Sequence, residues 1–228
     1  MKTNLIKSLI IIVMLFSTIL ISNADAPNIS CPPGFVRITK FIMVNINGAL
    51  CRYRVDLCVQ CPAGTHPVPF TVKLAAFTAD PINCGFNSSQ VKDSIMNIVT
   101  DPNWIQTNLS GDCFAGWGPC PENAVTVVGV APLCWKKIKY KDEENDSTKV
   151  MYVGCYEEGC TCQQDITICW NPQTQDFIKT YGQFYREPLG CQSSCEIVFE
   201  IPDEQIHEPT EEEPFPESAC FGLESPCN

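Results

Sequence analysis

Apolar and polar residues alternate with a period of two in several short stretches of this chain. Tyr53, Val55 and Leu57 alternate with Arg52, Arg54 and Asp56, and Ile166, Ile168 and Trp170 alternate with Thr167 and Cys169. That period predicts half-buried strands. Asn45-Ile46-Asn47-Gly48 separates two such runs and predicts a hairpin turn, because Asn-Gly tolerates the left-handed backbone of tight hairpins. Trp135–Tyr140 and Val150–Val153 are expected to pair across the polar turn Lys141–Ser147. Helical periodicity is scarcer. Val91, Ile95, Ile98 and Val99 make an apolar stripe within Ser89–Val99, with Ser89 as a candidate cap and Asp101-Pro102 as a stop. Phe70, Leu74 and Phe77, like Phe177, Tyr181 and Phe184, have the i, i+4, i+7 spacing of a helical face. Gly182 and the neighbouring Thr and Ile residues disfavour a short helix, so a strand is nearly as good a reading of both trios.

The two trios belong to a wider repetition. At one fixed offset, Phe70, Phe77, Pro81, Cys84 and Pro102 fall on Phe177, Phe184, Pro188, Cys191 and Pro209, and Asp80 falls on Glu187. The same offset carries Cys113-Phe114, Pro119 and Cys120 onto Cys220-Phe221, Pro226 and Cys227. Upstream the register slips, and Cys51 and Cys58 correspond to Cys162 and Cys169 with the same spacing. Cys120-Pro121 also resembles Cys31-Pro32, which puts the boundary near residue 120. The expected organisation is a signal peptide over 1–24, a first cysteine-rich repeat over 25–119 and a second over 120–228. The second contains an acidic Pro/Glu-rich segment at 202–217, and Pro202–Pro216, standing where the first repeat has its helix, is expected to be a solvated loop.

The leader sets the compartment. Lys2 and Lys7 precede an apolar run from Leu9 to Ile21, and Ser22-Asn23-Ala24 supplies small residues for cleavage, with Ala24-Asp25-Ala26 as a second cut. The run is shorter than the roughly 20 residues that span a bilayer, so the expectation is secretion to the extracellular space with no membrane association after cleavage. Asn28, Asn87, Asn108 and Asn145 each begin an Asn-x-Ser sequon and are the candidate N-glycosylation sites, provided each lies on an accessible loop. An oxidising compartment pairs cysteines. The disulfide candidates are Cys31, Cys51, Cys58, Cys61, Cys84, Cys113, Cys120, Cys134, Cys155, Cys160, Cys162, Cys169, Cys191, Cys195, Cys220 and Cys227, and their connectivity does not follow from spacing.

The net charge of −11 is unevenly placed: from Glu196 onward there are ten acidic side chains and no lysine or arginine. An acidic chain lacks the basic surface that nucleic acid requires, and no nucleic-acid partner is expected. Lys137, Lys139 and Lys141 fall on one face of their strand and are expected to be an ordinary exposed face.

Candidate chemistry is sparse. His66 lies in Gly-Thr-His-Pro and His207 in the acidic tail, neither in a catalytic motif. Cys58-Val-Gln-Cys61 has the spacing of a redox or metal motif, but Pro62 follows where a redox motif opens a helix, and bridges are the expected use. Cys160-Thr-Cys162 is expected to send its two cysteines to different partners. The tail run Glu208–Pro216 lacks the spaced oxygen ligands and turn glycine of a calcium loop. No cofactor, metal or catalytic residue is expected.

The fold class expected is therefore mostly β, small and disulfide-rich, as two diverged tandem cysteine-rich repeats with little helix. The expected function is that of a secreted non-catalytic glycoprotein, a binding or structural module with an extracellular protein or matrix partner. The alternative is a protease inhibitor or defence polypeptide presenting a disulfide-held loop, for which Leu133–Lys137 is the candidate segment.

Overall fold

The computed structural model describes residues 26–46, 48–61, 69–79, 87–109, 116–142, 146–156, 159–193, 195 and 200–227. The leader, His66, the sequon asparagine Asn145 and the cysteines Cys84 and Cys113 lie outside the described residues. Among these residues nine strands join in one sheet with two helices on one of its faces, a mostly β, disulfide-rich fold.

The strands are β1 (Val36–Ile46), β2 (Ala49–Gln60), β3 (Phe70–Ala79), β4 (Val125–Pro132), β5 (Cys134–Asp142), β6 (Ser147–Gly154), β7 (Thr161–Asn171), β8 (Asp176–Glu187) and β9 (Phe221–Gly222). β1 and β2 form the expected hairpin, closed by the pair Ile46–Ala49. Asn45 Oδ1 accepts from the Gly48 N–H at 2.9 Å, and Gly48 takes the positive φ of +87° that the turn needs. β5 and β6 pair from Trp135–Gly154 to Asp142–Ser147, also as expected. β2 runs antiparallel to β3, and the far edge of β3 forks. Phe70–Lys73 pairs in parallel with Val127–Val130 of β4, whereas Ala76–Thr78 pairs antiparallel with Met151–Val153 of β6.

Both phenylalanine trios are strands. A β-bulge explains why they mimic a helix: Ala75 and Ala76 stand opposite the single Asp56, which reverses the side-chain alternation. Phe70, Leu74 and Phe77 thereby share one buried face in spite of the odd spacing of the last two. In β8 the ladder shifts likewise, with Gly182 and Gln183 opposite Asp165 between Tyr181 and Phe184.

The helices are α1 (Ser88–Val99) and α2 (Pro102–Leu109). Asn87, not Ser89, caps α1: its side chain accepts from the Gln90 N–H at 2.9 Å. Asp101 caps α2 through the Asn103 N–H at 2.9 Å, with Pro102 at the first helical position, where its missing N–H costs nothing. Val91, Ile95 and Val99 of α1 and Ile105 and Leu109 of α2 pack on Val44, Tyr53, Leu57 and Phe70 of the first three strands.

Three antiparallel strands recur with one register. Setting β4-β7 on β1-β2 places Val125–Ile168 on Val36–Val59, Val127–Ile166 on Ile38–Leu57 and Ala131–Cys162 on Ile42–Tyr53. In the same frame β7-β8 falls on β2-β3, with Ile168–Lys179 on Val59–Val72, Ile166–Tyr181 on Leu57–Leu74 and Gln164–Phe184 on Val55–Phe77. The bulges coincide, and Asp165 falls on Asp56. The ladder puts Cys160 on Cys51, so the cysteine correspondence read from the sequence is displaced by two residues. A displacement of two keeps a side chain on its face. β5 and β6 are an excursion between β4 and β7 that has no counterpart between β1 and β2.

One expectation beside the acidic tail is corrected, while Pro202–Pro216 is the mostly exposed loop expected, with Ile206 and Pro216 buried. Lys137 and Lys139 are buried, Lys137 to 4% exposure. The tail strand lies along β5, with Lys139 N–H donating to Pro216 C=O at 3.0 Å and Ser218 N–H to Lys137 C=O at 2.9 Å. Carboxylates follow the backbone in: Lys137 pairs with Glu200 at 2.9 Å and Asp203 at 2.7 Å, Lys139 with Glu208 at 2.7 Å, and Lys136 with Glu217 at 2.7 Å. The segment over 202–217 is a strap neutralising a basic strand, and a lysine row cannot stay buried without such partners.

Candidate functional site

The described cysteines are all bridged. Bridges join Cys31–Cys58, Cys120–Cys169, Cys134–Cys195, Cys155–Cys220, Cys160–Cys191 and Cys162–Cys227. Cys51 and Cys61 are bonded as well. Cys58 and Cys61 thus belong to different bridges, as do Cys160 and Cys162. Cys31–Cys58 and Cys120–Cys169 match in kind: each ties a Cys-Pro cysteine ahead of β1 or β4 to β2 or β7.

The sequons differ in placement. Asn28 is exposed, with its Oδ1 accepting from Arg37 at 2.5 Å. Asn87 is exposed at the start of α1, where capping uses Oδ1 and not the nitrogen that carries a glycan. Asn108 is in α2, not a loop, and its Nδ2 donates to Trp104 C=O at 2.9 Å. His207 is exposed and lies 2.9 Å from Glu213 Oε2. Leu133–Lys137 is no presented loop, since Leu133, Cys134, Trp135 and Lys137 are all buried.

The surface with binding character was missed in the sequence. In the first half, Phe70, Leu74 and Phe77 are fully covered. In the second half, the matching face of β8 is open: Phe177 is partly buried against Trp117 and Trp170, but Tyr181 is 59% and Phe184 46% exposed. The cause lies in the chain. Among the described residues the helices that cover β1–β3 have no counterpart over β4-β7-β8, and the Pro- and Glu-rich segment straps β5 instead. What remains is a groove of about 730 Å³. Its floor is Gly129, Ala131, Ile166 and Phe184, one wall is Lys92 and Met96 of α1 with its C-cap Thr100, and the rim is Glu224–Pro226. The volume is in the range of ligand sites, and the floor is apolar. Gly129 is where α1 comes close, for a Cβ there would sit 3.1 Å from Thr100 Cγ2 and 3.3 Å from Met96 Cε. Lys92 reaches Glu224 C=O and pairs with Asp93 at 3.3 Å, fixing the rim to the wall. Burial lowers the pKa of its amine, opposed by Asp93 and Glu224.

The opposite face of the sheet holds a second depression, of about 750 Å³, around Lys73, Thr126, Val128, Asp165 and Tyr185. Lys73 sits over the rings of Phe35 and Tyr156, at 5.4 Å and 4.5 Å. Burial, helped by a 2.9 Å hydrogen bond to Asp165, pushes the Tyr185 hydroxyl up to about 12. Tyr185 Oη also lies 3.4 Å from Gln163 Oε1, so part of this depression's polar lining is paired within itself. Among the described residues no helix is long and apolar enough to cross a membrane. Comparison with known proteins gives no match: no family model, no curated protein and no solved structure is similar to this chain.

Proposed function

We propose that this is a secreted, non-catalytic, disulfide-rich glycoprotein, built from two diverged copies of one three-stranded motif, which binds an extracellular protein through the open groove of its second copy. The observation that carries the reading is the pair of trios. Phe70, Leu74 and Phe77 are core, while Phe177, Tyr181 and Phe184 keep aromatic side chains on a face that no helix covers among the described residues. An apolar patch retained on a surface marks an interaction site, and rigid Tyr and Phe side chains are effective anchors there because little conformational entropy is lost. The shared register, the coincident bulges and the matching Cys-Pro bridges support the duplication, and the leader with its dense bridges supports secretion.

The test is an array of extracellular proteins probed with the secreted chain and with a Tyr181→Glu, Phe184→Glu variant. A partner bound by the parent and lost at least tenfold in the variant, whose bridges map unchanged, supports the groove. Equal binding by both forms removes it, and turnover of a defined substrate would remove the non-catalytic reading. The inhibitor alternative has no observation in its favour, since its candidate segment is core.

A further inference from the structure

The duplicated motif fixes what the free ends of the sheet match. Along its main band the sheet runs β1-β2-β3-β4-β7-β8, so the second motif follows the first in the same order and direction. The joint between them is the parallel ladder of β3 with β4. β8 is the counterpart of β3 and β1 the counterpart of β4, and among the described residues each of these end strands has a ladder partner on one side only. The molecule thus carries, at its two ends, the two halves of a joint that it makes once within itself.

Lys40, Lys179 and the bulge of β8 blunt these edges in part, but the bulge lies beyond Thr180 and the strands are long. β1 and β8 have 11 and 12 residues, with no proline in either. Val36, Phe41 (55% exposed) and Met43 stand out from β1, and Ile178 (45%), Tyr181 and Phe184 from β8.

We propose that β8 of one copy adds in parallel to β1 of the next, in the register of β3 on β4. Transferring Phe70–Val127, Thr71–Val128, Val72–Gly129 and Lys73–Val130 sets Phe177 beside Ile38, Ile178 beside Thr39, Lys179 beside Lys40 and Thr180 beside Phe41 of the neighbour. The joint is heterologous: two different surfaces meet, and each added copy presents a fresh end, so copies join head to tail. Four rungs make a weak contact, and Lys179 beside Lys40 weakens it further, because like charges on neighbouring strands repel. The second copy is the favoured occupant since the complementary edge is already seen paired in the same chain. The inference rests on the repeated register and not on the groove, so its failure leaves the groove reading intact.

The experiment is sedimentation of the full, bridged and deglycosylated protein over micromolar to millimolar concentration. Continued growth beyond a dimer is expected, with roughly fivefold tighter association for Lys40→Glu, which turns a repulsion into an attraction. Phe41→Lys blocks the β1 end and Ile178→Arg the β8 end. Each alone is expected to stay monomeric, and the two mixed are expected to form a one-to-one pair that grows no further. A monomer throughout, self-association that stops at a dimer, or a mixture that does not pair overturns the proposal. Lys40→Glu reverses a charge at a partly exposed site and keeps the test decisive if either blocking variant misfolds.

Discussion

Glu200 is the residue on which the strap turns. Its carboxylate accepts from Ser88 Oγ and Tyr152 Oη, each at 2.5 Å, and pairs with Lys137. Burial raises its pKa, but the hydrogen bonds from Ser88, Tyr152 and Lys137 outweigh that and hold it below its ordinary 4.5. A carboxyl depressed in the folded state contributes stability that is complete above its unfolded value and lost as pH falls through the folded one. Glu200→Gln is therefore expected to cost about 1 kcal/mol at neutral pH, kept small because the carboxylate is partly wet and Lys137 retains Asp203. The deficit should shrink as pH drops below about 4.5, where the unfolded parent begins to take up the proton, and vanish once the folded carboxyl is protonated too. Urea unfolding of both proteins from pH 7 to pH 3 checks it, and parallel stability curves would show that Glu200 is not the titrating contact. The strand carrying Lys137 was legible from alternation, but the exposure of Lys137 and Lys139 was misread, while Lys141 at the strand's end is exposed as expected. Alternation assigns a face and is silent on what covers it, and here the cover is chain more than sixty residues downstream.

At the scale of elements, strands announced by strict alternation or an Asn-Gly turn were legible, and those that break alternation were not. Phe70, Leu74 and Phe77 read as a helical face because one extra residue changes a period of two into the spacing i, i+4, i+7. The extra residue is what keeps Phe77 in the core, where its ring lies 5.0 Å from Tyr152 and 5.3 Å from Trp135. Deleting Ala75 would turn Phe77 to the opposite face, or force the rest of the ladder to slip. The cost is expected to exceed about 4 kcal/mol, enough to abolish secretion of folded protein. Deleting Gly182 makes the same change in an end strand whose trio is mostly exposed, and a folded, secreted product is expected. Secretion yield and far-ultraviolet circular dichroism of the two deletions distinguish a bulge that sets the core from one that is only inherited. The groove was illegible for a related reason. The aromatic residues were visible in the sequence, but their exposure depends on the path taken by 202–217, which nothing local to β8 records.

For the whole molecule, repetition in sequence does not make two independent bodies. All six bridges with both ends described stay within a half, which taken alone would favour separable modules. The noncovalent structure runs the other way. The outer edge of β3 is filled by β4 and β6 of the second half, and the buried cluster joins Val55, Leu57 and Phe77 of the first to Trp135, Tyr152 and Phe221 of the second. Cutting near residue 120 would expose a central strand edge and an aromatic core together, a loss that a small domain with a net stability of about 5 to 15 kcal/mol does not survive. The oxidised chain is accordingly expected to unfold in one transition, seen alike by circular dichroism and tryptophan fluorescence, and residues 26–119 made alone should show no cooperative transition. Two separate transitions in the intact chain would mean that bridges outweigh the shared sheet and that each half stands by itself. The same reasoning ties stability to assembly: a motif that needs β4 and β6 against its last strand is stabilised by whatever fills that edge, and in the proposed head-to-tail joint the neighbouring copy fills the edge of β8, which has no ladder partner there among the described residues.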